Sequence, residues 1–451
     1  MKILSIIAIS SLFVSLNALT LKEDNTQSSL VIYNSNIALV HEERVLDIKK
    51  DETKIIYEDV ASSINTDSVN VVLPQDISIF SQQYRFDKLT QRKLLDAHIG
   101  KKIDVRVKDN AKNYQTISAI LLSNDGVKCI VKTDSKIIVT VDTKNIIFKE
   151  IPEDLITKPS LVWNISSDAY IKSTIKIDYL INNINWKSNY ILKLKDDTAD
   201  LTGWITIDNR SGKSFKDTDL HVLAGDINKV SQVQPRYMRQ KSMAVMADSS
   251  VNVSHQAHEG YHFYTIPFKV SLSNNEKTQV KFIQEKNIDV KRKYSAKMYS
   301  PNHLKGEINH DVVQYVTFSG LKNPLPKGVV RSYSKLKKTN ILLGESSLKH
   351  TPKDTPISLK LGKNFDVKVK ETLVNFDDTK WQTNVDIKYT IKNSSKETKT
   401  VEILVPFNRN EGSKVTCEEK YEYTKGNLVT FNIEVQAEST QEFKVHFKTK
   451  K

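Results

Sequence analysis

Apolar residues recur at every second position over much of this chain, and that spacing leaves little room for anything but strands. Ile175, Ile177, Tyr179 and Ile181 form one such row. Tyr264, Ile266, Phe268, Val270 and Leu272 form a second, and Val429, Phe431, Ile433 and Val435 a third. Successive side chains of a strand point to opposite faces, so each row marks one buried face backed by a solvated one. Asn, Gly, Ser and Lys turns separate the rows without intervening helices, the pattern of antiparallel sandwiches or barrels. Helical spacing is confined to residues 87–100, with Asp87 as the start and Gly100 as the stop. The expected fold is all-β: tandem antiparallel β-sandwich domains, a small SH3-like or Sm-like barrel insertion, and little helix.

The chain has 451 residues, too many for one hydrophobic core. Lys2 followed by the apolar run 3–14 and the small residue Ala18 reads as a secretory signal over residues 1–18. An N-terminal β domain with a short helix is expected over 19–98, and the small barrel over 99–151, with an Asn-Asp-Gly turn at 124–126. A central sandwich follows over 152–350, then a C-terminal sandwich over 351–451. Residues 228–259 are polar and aperiodic and read as a flexible loop. The hairpin plan of 205–222, a strand ending in Ile-x-Asn, a Ser/Lys turn and a second strand, is echoed at 389–405. No later segment reaches the ~20 apolar residues of a membrane span. The protein is expected to be exported, periplasmic or secreted, and bacterial.

The formal net charge is +14, with denser basic runs at 290–297 and 331–338. Lysines on strand edges discourage edge-to-edge pairing, and on an exported protein they also favour an anionic surface. Export makes nucleic acid an unsuitable partner. Cys129 and Cys417 are the only cysteines, so no disulfide framework holds the fold. A bridge between them is open to an exported protein, but two unpaired, buried thiols are expected.

Candidate chemistry concentrates at one place. Residues 258–262, His-Glu-Gly-Tyr-His, satisfy H-E-x-x-H, in which a helix sets two zinc-binding histidines on one face and the glutamate activates water. Gly260, Tyr261 and the nearby Pro267 oppose a helix here. In one strand His258 and His262 would lie about 13 Å apart, too far for one metal. Glu276 and Glu285 are the available third ligands. A softer copper or zinc site would draw on Met238, Met243, Met246, His255, His258 and His262. The carboxylate pairs Asp217/Asp219 and Glu418/Glu419 read as solvated surface. Trp163, Trp186, Trp204 and Trp381 read as core aromatics. There is no nucleophile elbow, glycine-rich phosphate loop or C-x-x-C pair. No catalytic residue, metal ligand or cofactor is assigned.

Residues 178–194, 203–226, 261–272, 323–335, 342–369 and 389–395 together resemble the mucoidy-inhibitor-like family of bacterial envelope proteins, whose C-terminal half is a domain of unknown function. Residues 31–48 are similar to the start of that family's N-terminal region. The resemblance implies a β-sandwich architecture and an envelope setting, and it carries no catalytic residues. It also implies a coiled coil between the halves in many members, where this chain has the small barrel. The expectation is an uncharacterised exported, non-enzymatic envelope protein that binds or scaffolds. Its partner would be an anionic polysaccharide or another envelope protein. The alternative is a zinc-dependent hydrolase or copper/zinc-binding protein using the His/Met-rich loop.

Overall fold

The computed structural model describes residues 18–23, 26–108, 114–152, 155–224, 255–258 and 261–451. All of the predicted leader but Ala18, and Met238, Met243, Met246 and Glu259, lie outside the described residues. The class is all-β: among the described residues the only α-helix is Gln91–Ala97. That helix starts later than predicted. Its cap is Thr90, whose Oγ1 accepts from Lys93 N at 3.3 Å, while Asp87 instead accepts from the Ile156 backbone at 3.1 Å.

The chain divides into two compact units. The first comprises Met1–Asn185, Asp208–His221 and Phe268–Lys277; the second comprises Trp186–Ile207, Val222–Pro267 and Thr278–Lys451.

In the first unit the strand Ile37–Ile48 lies between Gln27–Tyr33 and Ile171–Asn182, antiparallel to both. Ile175, Ile177, Tyr179 and Ile181 are fully buried, as the alternation demands. A second sheet takes the order Ala18–Leu21, Lys54–Glu58, Ser160–Ser167, Ile77–Arg85. A third has five strands in the order Ile138–Asp142, Lys128–Thr133, Tyr114–Asn124, Lys102–Lys108, Ile146–Ile147. Its Asn-Asp-Gly turn closes as expected: Asp125 Oδ1 accepts from Val127 N and Lys128 N, and Gly126 takes φ +94°.

The second unit holds a sheet in which Ile184–Leu194 pairs in parallel with Gly328–Leu336. It also holds a nine-stranded sheet running from Lys414–Cys417 through Ser439–Lys450, Gln382–Asn393, Ile357–Asp378, Glu307–Phe318, Lys291–Lys297, Lys399–Pro406 and Leu428–Val435 to Tyr421–Thr424. This sheet curls so that its two ends share one core. Phe443, near one end of the order, packs its ring 5.3 Å from Phe431, near the other. Val429, Phe431, Ile433 and Val435 all point into that core.

Antiparallel pairing prevails, but Ala18–Leu21 with Lys54–Glu58, Ile184–Leu194 with Gly328–Leu336, and Lys291–Lys297 with Lys399–Pro406 are parallel, which the alternation does not show. The row from Tyr264 to Leu272 is likewise not one strand. Tyr261–Thr265 and Val270–Leu272 are separate, and Phe268 between them is 54% exposed because Pro267 interrupts the ladder.

The echoed hairpins are built alike. Asn209 Nδ2 donates to the carbonyls of Lys213, Leu272 and Ser273, and its Oδ1 accepts from Ser211 N and Oγ. Asn393 does the same with Glu397, Val435, Gln436 and Ser395. In each case one buried amide closes a turn and ties a third segment to it.

Candidate functional site

The second unit presents a charged sheet face whose composition follows from strand alternation. Gln382–Asn393 buries Thr383, Val385, Ile387, Tyr389 and Ile391 and leaves the intervening polar side chains on the other face. Ser439–Lys450 buries Phe443, Val445 and Phe447 and leaves Lys444, His446, Lys448 and Lys450 outward. Register then sets these into rows. Lys450 lies opposite Gln382, Lys448 between Asn384 and Lys414, His446 between Asp386 and Thr416, and Lys444 opposite Lys388.

Toward Thr390 a carboxylate enters the rows beside the Lys388–Lys444 pair. Thr390 Oγ1 donates to Glu442 Oε1 at 2.7 Å and Lys388 Nζ lies 3.5 Å from the same oxygen. The Thr390 hydroxyl and the Lys388 ammonium together hold the Glu442 carboxyl below its usual pKa. At the opposite end the charges are unmatched. Lys414 and Lys448 face each other directly, an unfavourable like-charge pair. Among the described residues Lys414, Lys448 and Lys450 have no carboxylate partner. Gly412, at φ +83°, gives the Lys450 stem room to lie against its backbone.

Trp381 stands at this end, and it overturns the expectation of four core tryptophans. Trp163 and Trp186 are buried and Trp204 is half-buried, but Trp381 is 73% exposed. It sits in the turn between two strands, beyond the last core layer. Its carbonyl accepts from Lys451 N at 3.1 Å, and Lys380 Nζ lies 5.1 Å from its ring centroid. Lys451 Nζ meets Asp378 Oδ1 at 2.7 Å; with the Thr383 hydroxyl it holds the Asp378 carboxyl low. Trp381 is thus an exposed ring with Lys380 over it, at the end of the sheet whose rows carry Lys414, Lys448 and Lys450 without a carboxylate.

Further along, a groove of about 820 Å³ is lined by Asp386, Thr416, Glu418, Lys444 and His446 among others. The row Asp386–His446–Thr416 has the residue types of an acyl-transfer relay but not its geometry. Asp386 Oδ1 holds His446 Nδ1 at 2.7 Å, and among the described residues no hydrogen bond joins His446 to Thr416. The same row recurs in the first unit as Asp178–His41–Ser29. There Asp178 takes Nδ1 at 2.7 Å and Glu43 takes Nε2 at 3.3 Å. Partial burial opposes the imidazolium, yet the two carboxylates raise the His41 pKa. An imidazolium held this way is a cross-strand ion pair and does not serve as a base.

Cys417 adds no nucleophile. It is one residue along from Thr416 and so shares the core side with Val415. Its thiol donates to the Lys444 carbonyl at 3.3 Å, and burial raises its pKa. Both cysteines are free, as expected, but only Cys129 is fully buried and Cys417 is half-buried.

The predicted zinc motif is not on a helix. His255–His258 pairs antiparallel with Tyr261–Thr265, setting His258 opposite Tyr261 and Ala257 opposite His262. The motif's histidines therefore fall on two arms of a hairpin. Among the described residues no group of three or more His, Cys, Asp or Glu is arranged to hold a metal ion. Asp217 and Asp219 are exposed on the strand Phe215–Ala224, and Glu418 and Glu419 follow the edge strand Lys414–Cys417. The basic runs are partly neutralised: Lys293 pairs with Glu402 at 2.6 Å and Arg331 with Glu345 at 2.6 Å.

Sequence spacing missed a buried charge cluster in the first unit. Glu42 and Arg44 share the inward parity of Val40 and Leu46, which is the one signal that points to it. Glu42 Oε2 accepts from Tyr57 at 2.8 Å and Arg44 Nη2 at 2.9 Å; its Oε1 faces Tyr179 at 3.2 Å and Lys213 Nζ at 3.4 Å. Burial alone would raise the Glu42 carboxyl, but Lys213 and Arg44 outweigh it and the pKa is lowered. Lys213 Nζ also meets Glu23 Oε1 at 3.1 Å and the Asp59 carbonyl. Burial and a hydrogen bond to Asp59 raise Glu23; Asp59 is partly buried too, yet that same bond and Lys213 lower it. The hydrogen bond between the two carboxyls therefore moves their pKa values in opposite directions. A cavity of about 390 Å³ opens beside Glu23, Glu42 and Lys213. Arg44 and Lys213 are both engaged by carboxylates and carbonyls inside the unit, so the cluster reads as one that holds the fold.

Comparison with known families gives one match: residues 175–450 fit the model of a domain of unknown function, DUF4139. No curated protein matches the chain.

Proposed function

Because the chain belongs to the DUF4139 family, which has no assigned activity, the reading rests on its own surface, and we propose that it binds an anionic polysaccharide at the bacterial cell envelope. In this reading it is exported through the leader at 1–18, is of the mucoidy-inhibitor-like kind, and is not an enzyme. The observation that carries it is the exposed Trp381, with Lys380 over its ring, at the end of the sheet where register sets Lys450 opposite Gln382 and Lys448 between Asn384 and Lys414; none of these four lysines has a carboxylate partner among the described residues. An indole face stacks on the C–H face of a pyranose ring, and unpaired ammonium groups on an exposed sheet face draw acidic sugars from solution. Neutral polymers would gain only the first contact.

Two assays test this. Fractionation of cells expressing the full chain should place it in the envelope or the medium. The purified mature protein should be retained on a polyuronate resin, eluted by salt, and should pass a neutral dextran resin. Cytoplasmic location, or equal retention on both resins, would refute the reading.

A further inference from the structure

The five-stranded sheet of the first unit has one covered face and one bare face. The covered face holds Ile103, Val105, Ala119, Leu121, Cys129 and Val131, packed with Leu95 of the helix. On the other face, register sets one row across four strands: Lys102, Ile120, Lys132, Ile138. Leu122 and Ile130 flank it. The exposed face of an antiparallel sheet is ordinarily polar, yet Ile120 is 39% exposed, Leu122 39%, Ile130 41% and Ile138 62%. Single exposed aliphatics are unremarkable. Four on neighbouring strands form a patch, and patches of this kind mark contacts with other molecules.

We infer that this face is the docking surface for an amphipathic, acidic helix of a partner protein. The rim supplies the charge argument. Lys102, Lys128 and Lys132 border the patch; Lys102 has only a distant partner, Asp134 at 3.8 Å, Lys128 has the field of Asp125 nearby, and Lys132 has no carboxylate partner among the described residues. A second copy of this chain, docked about a two-fold axis, would set these lysines against themselves. A partner with Glu or Asp beside an apolar stripe meets both features at once. Helix on sheet is one of the few stable layer arrangements; an added strand would extend the edge and leave the face bare. The contact is separate from the Trp381 site and does not depend on what that site binds.

The test uses the full mature chain and a labelled synthetic helix of about 18 residues, with Leu at i, i+3, i+4 and i+7 and Glu on both flanks. A second peptide carries Lys in place of every Glu. Fluorescence anisotropy should show the Glu peptide binding at least about tenfold more tightly than the Lys peptide. The double variant Ile120→Thr, Ile130→Thr should weaken that binding by a similar factor without lowering the melting temperature, and Lys132→Glu should narrow or reverse the charge preference. No binding, equal binding of both peptides, or indifference to the isoleucine changes would overturn the inference. So would a dimer, seen by sedimentation, that the double variant dissolves, since a second copy would then be the occupant.

Discussion

Replacing Glu42 by Gln removes one charge and almost no volume, and it isolates what the buried cluster contributes. In the wild type Glu42 faces Arg44 at 2.9 Å and Lys213 at 3.4 Å, and it is completely buried. Gln keeps an oxygen for a tyrosine hydroxyl but leaves two buried cations opposite a neutral amide. Breaking a buried ion pair by removing one partner costs roughly 3–5 kcal/mol. Against a total stability of about 5–15 kcal/mol, that is a large share. At about 2–4 °C per kcal/mol for a unit of this size, the melting temperature should fall by roughly 6–20 °C. The two units need not unfold together, so hydrogen exchange along Ile37–Ile48 is the unit-resolved assay; Trp163, 5.7 Å from the Tyr57 ring, gives a fluorescence signal nearby. The pH dependence has a defined sign. A carboxyl whose folded pKa is depressed contributes stability above its unfolded value, 4.5 here, and loses it as pH falls through the folded value. The wild type should lose that contribution below pH 4.5, and the Gln variant should not have it to lose. A cost under about 1 kcal/mol at pH 7 would refute the claim that these charges hold the unit together.

Gly328→Ala should destabilise the second unit by about 2–3 kcal/mol, read from its urea midpoint, because the new Cβ would sit 2.4 Å from the Ser188 carbonyl oxygen. Asn209→Ala and Asn393→Ala should each cost about 2–3 kcal/mol in their own unit, since each amide serves three carbonyls; Asp at either position should cost more, as its oxygens face those carbonyls. NMR titration of His41 should give a midpoint above 6.5, and Asp178→Asn should bring it down. The stability from this half-exposed pair should be present below pH 6.5, vanish as pH rises through the folded value, and stay under about 1 kcal/mol.

Much of the fold was legible because alternation is a local signal: the rows at 175–181 and 429–435 are buried as read. What was not legible depends on pairing between distant segments. Gly328 opens a strand, and its missing side chain lets the backbone of Ser188 approach, a demand set by a segment far away in sequence. The parallel pairings of Ala18–Leu21, Ile184–Leu194 and Lys291–Lys297 join strands separated by long stretches of chain, and each unit is assembled from three separate segments. Trp381 read as core because tryptophans of β-sandwiches usually are, but it sits in the turn between two strands and is exposed. The lysine end of the site was equally hidden. Lys414, Lys448 and Trp381 are far apart in sequence, and only register brings the first two face to face. The Glu42 cluster left a faint trace, two charged residues at inward parity, that alternation alone treats as an error.

The central claim is that Trp381 and its unpaired lysines form one binding site, and titration calorimetry with a polyuronate oligosaccharide tests it most directly. The wild type should bind, Trp381→Ala should weaken binding about tenfold or more at fixed salt, and Lys448→Gln with Lys450→Gln should both weaken it and reduce its salt dependence. If Trp381→Ala binds as well as the wild type while the lysine variant loses affinity, the surface is a diffuse cationic face and the proposed site does not exist.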